Sequence, residues 1–136
     1  MMATEAPTPV ESGPDLLRRA AERMRERATA ASPGPWETYM TIHAEAWVCE
    51  VDRGGFGAVA LPATGRPDYG KANSEHVASW HPPVALAVAD LLERDAEGWE
   101  QLAEVLPPAT TEGEEAFIEA FAGSLAVARV YLGEVS

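Results

Sequence analysis

The sequence predicts an α+β fold: a helical bundle of three longer helices plus one short one, with a small two- to three-stranded antiparallel sheet after the first helix. Three observations predict it. An alanine-rich amphipathic segment stops abruptly at Ser32-Pro33-Gly34-Pro35. A stretch of β-formers from Trp36 to Leu61 is folded back on itself by Asp52-Arg53-Gly54-Gly55. Two later segments, from Pro82 and from Thr111, carry apolar residues at helical spacing. A chain of 136 residues is long enough for one domain with a real core. That domain is expected over 13–136, behind a leader, 1–12, expected to be disordered.

The first helix begins at Ser12-Gly13-Pro14-Asp15, a cap, a proline in the first turn and an acid at the positive end of the dipole. Leu17, Ala20, Ala21, Met24, Ala28 and Ala31 then share a narrow face that allows close approach, with the arginines mostly on the outer face. Proline cannot continue the helical ladder, so Pro33 and Pro35 end it. In the sheet, Trp47, Cys49 and Val51 fall on one side of a strand, Val48 and Glu50 on the other, and 56–61 reads as the returning strand. After a loop from Pro62 to Ala72, Asn73 is expected to cap a short helix reaching about Trp80. Pro82-Pro83 opens the longest helix, of about 24 residues. Its expected stripe is Val84, Val88, Leu91, Leu92, Trp99, Leu102 and Leu106, with Gly98 as a weak point. Thr111 and Glu114 form a capping box for a last helix lined by Phe117, Ile118, Phe121, Leu125, Ala128, Tyr131 and Leu132.

Charge and composition narrow the function classes. A formal net charge of −12 argues against nucleic acid and against an anionic membrane surface, since both select a basic footprint. No run approaches the roughly 20 apolar residues of a membrane span, and the N-terminus lacks the basic and apolar regions of a secretory signal. A single cysteine, Cys49, forms no internal disulfide and suits a reducing, cytoplasmic setting.

No residue set matches a catalytic template. His76 and His81 are five apart across a helix break, which fails the helical zinc spacing. They read as a half-buried polar residue and a cap, with an acid–base pair of His76 and Glu75 as the lesser reading. Gly54-Gly55-Phe56-Gly57 lacks the lysine and hydroxyl of a phosphate loop and reads as a hairpin turn. Cys49 has no cluster of cations near it in sequence to activate a thiolate. Trp36, Trp47 and Trp80 serve either as the apolar joint of sheet to helices or as the wall of a pocket for a planar ligand. In the second case Asn73, Glu75, His76 and His81 stand at its rim, and Arg53, Arg66 and Lys71 are the cations that would meet a phosphate. No metal and no cofactor are expected.

Two motifs, Ala30-Ala31-Ser32-Pro33-Gly34-Pro35-Trp36 and Asn73-Ser74-Glu75-His76-Val77-Ala78-Ser79-Trp80-His81-Pro82-Pro83, occur in this order across the sheet. Over about Leu16 to Leu92 the chain resembles small proteins of actinobacteria and their phages and, more distantly, the early-region accessory proteins of lambdoid phages. The acidic stretch from Glu93 onward departs from the lambdoid pattern. The resemblance implies a dispensable, early-expressed protein that acts on host processes, and it supplies no catalytic residues. The expectation is therefore a non-enzymatic accessory protein that binds a host protein, as a homodimer or other homo-oligomer. The alternative is a binder that sequesters a nucleotide-type ligand such as a defence signal.

Overall fold

A computed structural model describes residues 10–41, 45–52, 57–60, 70–106 and 111–134. They form α1 (Gly13–Ala30), β1 (Trp36–Met40), β2 (Ala46–Glu50), β3 (Ala58–Ala60), α2 (Gly70–Ser79), α3 (Pro82–Val105), α4 (Thr111–Ala120) and α5 (Ala122–Leu132). The class is the expected one, α+β and mostly helical, with a three-stranded antiparallel sheet after the first helix. The chain forms two compact units: Ala21–Leu91, and Met1–Ala20 with Leu92–Ser136. Both α1 and α3 contribute to each unit. Among the described residues no helix is long and apolar enough to cross a membrane.

In the unit Ala21–Leu91, the sheet is a meander in the order β1-β2-β3. Tyr39 lies opposite Trp47 and Thr38 opposite Val48. Bonds from the Thr41 N–H to the Glu45 carbonyl (2.9 Å) and from the Val51 N–H to the Pro35 carbonyl (3.0 Å) extend the ladder at both ends. The β2–β3 register shifts between Val48 and Cys49, so that β3 uses one extra residue there. The expected alternation along β2 is corrected: Ala46, Val48 and Cys49 are buried, while Trp47 is only half-buried. Val48 and Cys49 are adjacent in the strand and both buried, so the strand buries side chains of both faces there and shows no clean alternation. α2 packs on β1 and β2, and its Ser74 hydroxyl donates a buried 2.7 Å bond to the Ala46 carbonyl.

Asn73 is not a cap. α2 already begins at Gly70, so Asn73 lies inside the helix, exposed. Lys71 and Glu75 sit four residues apart on the same exposed face, which supports the helix from its first turn. The opening of α3 is as expected: the Val84 and Ala85 N–H groups both donate to the His81 carbonyl, at 3.0 and 3.2 Å. In the second of the units, the Ser12 hydroxyl accepts the Asp15 N–H at 3.2 Å and caps α1. Of the leader expected over 1–12, residues 10–12 are among those described. Residues 1–9 lie outside the described residues, but Glu11 and Ser12 are tied to α1.

Two helical expectations need correcting. α3 runs unbroken through Gly98, but its buried face is Ala85, Ala89, Leu92 and Ala96, while Leu91, Leu102 and Leu106 are exposed. The final helix is two helices, parted at Phe121 (φ −108°, ψ 19°). The ladder survives there, with Phe121 N–H donating to Phe117 and Phe121 accepting from Leu125, so the break is a one-residue joint just ahead of Gly123, a poor helix former. Thr111 opens α4, and its proposed cap rests on a side chain outside the described residues. α5 closes on Gly133 in the left-handed region (φ 73°), with Gly133 N–H donating to Val130 and Glu134 N–H to Arg129, the two bonds of a Schellman motif.

Glycine positions give a paired test. A Cβ built on Gly34 would stand 2.5 Å from Pro83 Cδ and 3.0 Å from His81 Nδ1, whereas one on Gly98 meets nothing within 4 Å. Gly34→Ala is expected to destabilise by about 1–3 kcal/mol through overpacking. Gly98→Ala is expected to stabilise by about 0.4–1 kcal/mol, since helix interiors favour alanine. Thermal melts of the two variants check both signs.

Candidate functional site

Of the residues expected to form a ligand site, the structure describes Trp36, Lys71, Asn73, Glu75, His76, Trp80 and His81. Trp36 is half-buried, and its indole N–H donates to the Ser32 carbonyl at 2.9 Å, which fastens the turn between α1 and β1. Trp47 donates to the Glu45 carboxylate at 3.1 Å. Lys71, Asn73, Glu75 and His76 lie exposed on α2, and Trp80 is exposed at its end. Lys71 faces Glu75 at 3.9 Å, and the His76 carbonyl accepts the Ser79 hydroxyl at 2.6 Å. His81 is half-buried at the corner into α3; its Nδ1 is buried and has no hydrogen-bond partner among the described residues. Arg53 and Arg66 lie outside the described residues.

Among the described residues, concavities are formed in each of the two units. In the unit Ala21–Leu91, a shallow one of about 280 Å³ lies where Pro33 and Gly34 meet Pro82, Pro83 and Leu86. Its walls are apolar apart from Thr29, whose hydroxyl donates to the Arg25 carbonyl. In the unit Met1–Ala20 with Leu92–Ser136, a larger cavity of about 470 Å³ is lined by Trp99, Phe117, Ile118 and Leu125 on the apolar side and by Glu11, Ser12, Glu114 and Arg129 on the polar side. That volume is in the range of small-molecule sites.

Local sequence builds this cavity. Trp99 is stacked with Phe121 (centroids 5.0 Å apart) and with Phe117 (6.4 Å), which fixes an aromatic wall from α3, α4 and the joint between α4 and α5. Gly13 admits the Trp99 ring to the start of α1: a Cβ there would fall 2.1 Å from Trp99 Cη2. At the rim, Arg19 holds Glu11 with two parallel bonds of 2.9 and 2.8 Å and also binds Glu134. The Arg19 guanidinium donates to the Glu11 carboxylate and keeps its pKa below the ordinary value of 4.5, against a smaller opposing effect of burial. Arg18 pairs with Glu100, lowering the pKa of that carboxyl by the same hydrogen-bonding cause. Sequence reasoning assigned these aromatic residues to core packing and so missed the cavity beside them. The available signal was Arg129, the one cation in the sequence after Arg94.

Cys49, the single cysteine, is fully buried, and that burial pushes its thiol pKa up, with the facing Glu37 carboxylate adding to the shift. It is built as a core residue rather than a nucleophile. Native protein is expected to resist a thiol reagent such as DTNB, with the full equivalent reacting only in denaturant.

The Glu11–Arg19 pair gives a pH test. Because the folded-state pKa of Glu11 is lowered, its contribution is present above about 4.5 and is lost as pH falls through the folded value. Thermal melts of wild type and Arg19→Gln should therefore differ at pH 7, and the gap should close as the pH falls through the lowered pKa of Glu11. A gap unchanged at acid pH would show that Arg19 acts by packing rather than by charge. Beside these features of its own, the chain stands alone: no protein-family model, no curated protein and no solved structure matches it.

Proposed function

We propose that the chain is a non-enzymatic accessory protein, of the phage or actinobacterial kind its motifs resemble, that acts by binding a host protein as a homo-oligomer. The observation that carries this reading is an exposed aliphatic stripe at the end of α3. Leu102, Val105 and Leu106 are 40%, 76% and 62% exposed. Their spacing of three and four residues places them on one helical face, and the Leu106 N–H still donates to the Leu102 carbonyl at 2.8 Å, so the turn persists beyond the helix end. Full burial of a side chain of this size is worth about 1.5–3 kcal/mol, and a covering surface would recover the part of it that these exposed fractions leave in water. Helices bury such stripes by laying them into an apolar partner. The Ser-Pro-Gly-Pro-Trp and His-Pro-Pro motifs support the accessory class through resemblance alone, and the absence of a catalytic template in the sequence is consistent with it.

The test is light scattering on a sizing column across concentration and salt. A homo-oligomer is expected at a multiple of the 14.5 kDa chain mass. Two copies that each carry −12 repel one another, so self-association should strengthen as salt shortens the screening length from about 10 Å at 0.1 M. Val105→Glu with Leu106→Glu is expected to give a monomer whose circular dichroism and melting temperature are unchanged. A wild-type protein that stays monomeric at high concentration and high salt would overturn the oligomer. An oligomer that the double variant leaves intact would remove the stripe as its basis.

A further inference from the structure

The 470 Å³ cavity carries an inference independent of the protein-docking reading. We propose that it binds a small zwitterion with an apolar body, of the class of a free apolar amino acid, with the ligand's carboxylate on Arg129 and its ammonium on Glu114.

Most of the lining groups are already engaged within the protein. Ser12 is spent on α1: its hydroxyl accepts the Asp15 N–H and its carbonyl the Leu16 N–H. Glu11 is held by Arg19 through both carboxylate oxygens. The indole of Trp99 is stacked with Phe117 and Phe121 and abuts Gly13. What is left is an apolar floor of Leu16, Trp99, Phe117 and Leu125 with two polar groups beside it, Glu114 at the start of α4 and Arg129 near the end of α5. Among the described residues neither makes an ion pair, and in particular they do not pair with each other, although both line the same cavity. Arg18 and Arg19 of the same unit each reach a carboxylate; Arg94, like Arg129, makes no ion pair among the described residues, but it does not line the cavity.

One cation and one anion standing apart over an apolar floor are complementary to a ligand that brings one of each and a hydrophobic side chain. Arginine suits the carboxylate because its planar fork can donate two parallel bonds. A ligand of single charge fits less well. A fatty acid would leave Glu114 beside its head, an organic amine would leave Arg129 unmatched, and a nucleotide would bring several phosphates to one arginine flanked by Glu11 and Glu114.

The experiment is calorimetric titration of the full-length protein with L-leucine and L-phenylalanine, beside N-acetyl-L-phenylalanine, which lacks the ammonium, and L-phenylalanine amide, which lacks the carboxylate. The free amino acids are expected to saturate one site per chain, with each half-blocked probe about tenfold weaker, the factor carried by the loss of one such pair. Arg129→Gln should bring phenylalanine down to the affinity of its amide, and Glu114→Gln to that of the acetylated form. Neither variant should shift the melting temperature, since neither side chain holds the fold. No saturable heat from either amino acid at millimolar concentration overturns the proposal. So does a blocked probe that binds as tightly as the free one, which would identify a site for a singly charged amphiphile instead. Binding that survives both substitutions would place the ligand elsewhere on the chain.

Discussion

The close approach of Gly34 to Pro83 and His81 is the constraint on which the unit Ala21–Leu91 depends. The backbone at Gly34 leaves no room for a methyl group against the Pro83 ring. Pro33 and Pro35 stop α1 on one side of this contact; Pro82 and Pro83 start α3 on the other. Both strokes of punctuation are thereby fixed in space as well as in sequence. The indole N–H of Trp36 then closes the turn back onto Ser32, and the Pro35 carbonyl takes the Val51 N–H, so the sheet is anchored at the residue where the helix has just ended. The two motifs that make the sequence distinctive therefore do a structural task together, and His81, read from sequence as a cap, performs it through its carbonyl.

A second constraint is the size of the residues that face inward. In α1 the buried positions include Ala20, Ala21 and Ala28, and in α3 they include Ala85, Ala89 and Ala96. Leu17, Met24 and Leu92 are buried beside them, while Leu91, Leu102 and Leu106 are exposed. This explains why α1 was legible and α3 was not. In α1 the periodic apolar residues are themselves mostly alanine, so the stripe and the buried face coincide. In α3 large and small apolar residues run on adjacent faces, and ranking by hydrophobicity selects Leu91, Leu102 and Leu106, which the fold leaves exposed. The helix itself, its start at Pro82 and its length were readable because proline, capping and period are local properties.

The candidate site was less legible for the same kind of reason. Trp36 and Trp80 stand beside the motifs and invite a pocket, yet the hydrogen-bonding capacity of Trp36 is used locally and Trp80 projects from the end of α2. The cavity lies instead among Trp99, Phe117 and Leu125, residues whose helical spacing makes them indistinguishable from ordinary core. Only tertiary geometry tells a filled core from one that stops short of closing. The joint at Phe121 matters here, because it turns one expected helix into two and allows Phe117 and Phe121 to stack with the same indole.

Charge follows from how the arginines are spent. Arg18, Arg19 and Arg25, expected on an outward face, do lie near the surface, yet each reaches a carboxylate distant in sequence: Glu100, Glu134 and Asp90. Half-exposed pairs of this sort add little stability individually, but they fix which carboxylates are neutralised. With so few cations in the chain, committing them internally concentrates the uncompensated acid on the remaining surface, α4 above all, where Glu112, Glu114, Glu115 and Glu119 sit in a helix without a basic residue. Arg129 is then conspicuous. It stands in the last turn of α5, where the helix dipole favours a cation, but no carboxylate among the described residues claims its guanidinium. In a chain this acidic, an arginine left open beside an apolar cavity is a scarcer resource than any glutamate, and it marks where a ligand's negative charge would find its match.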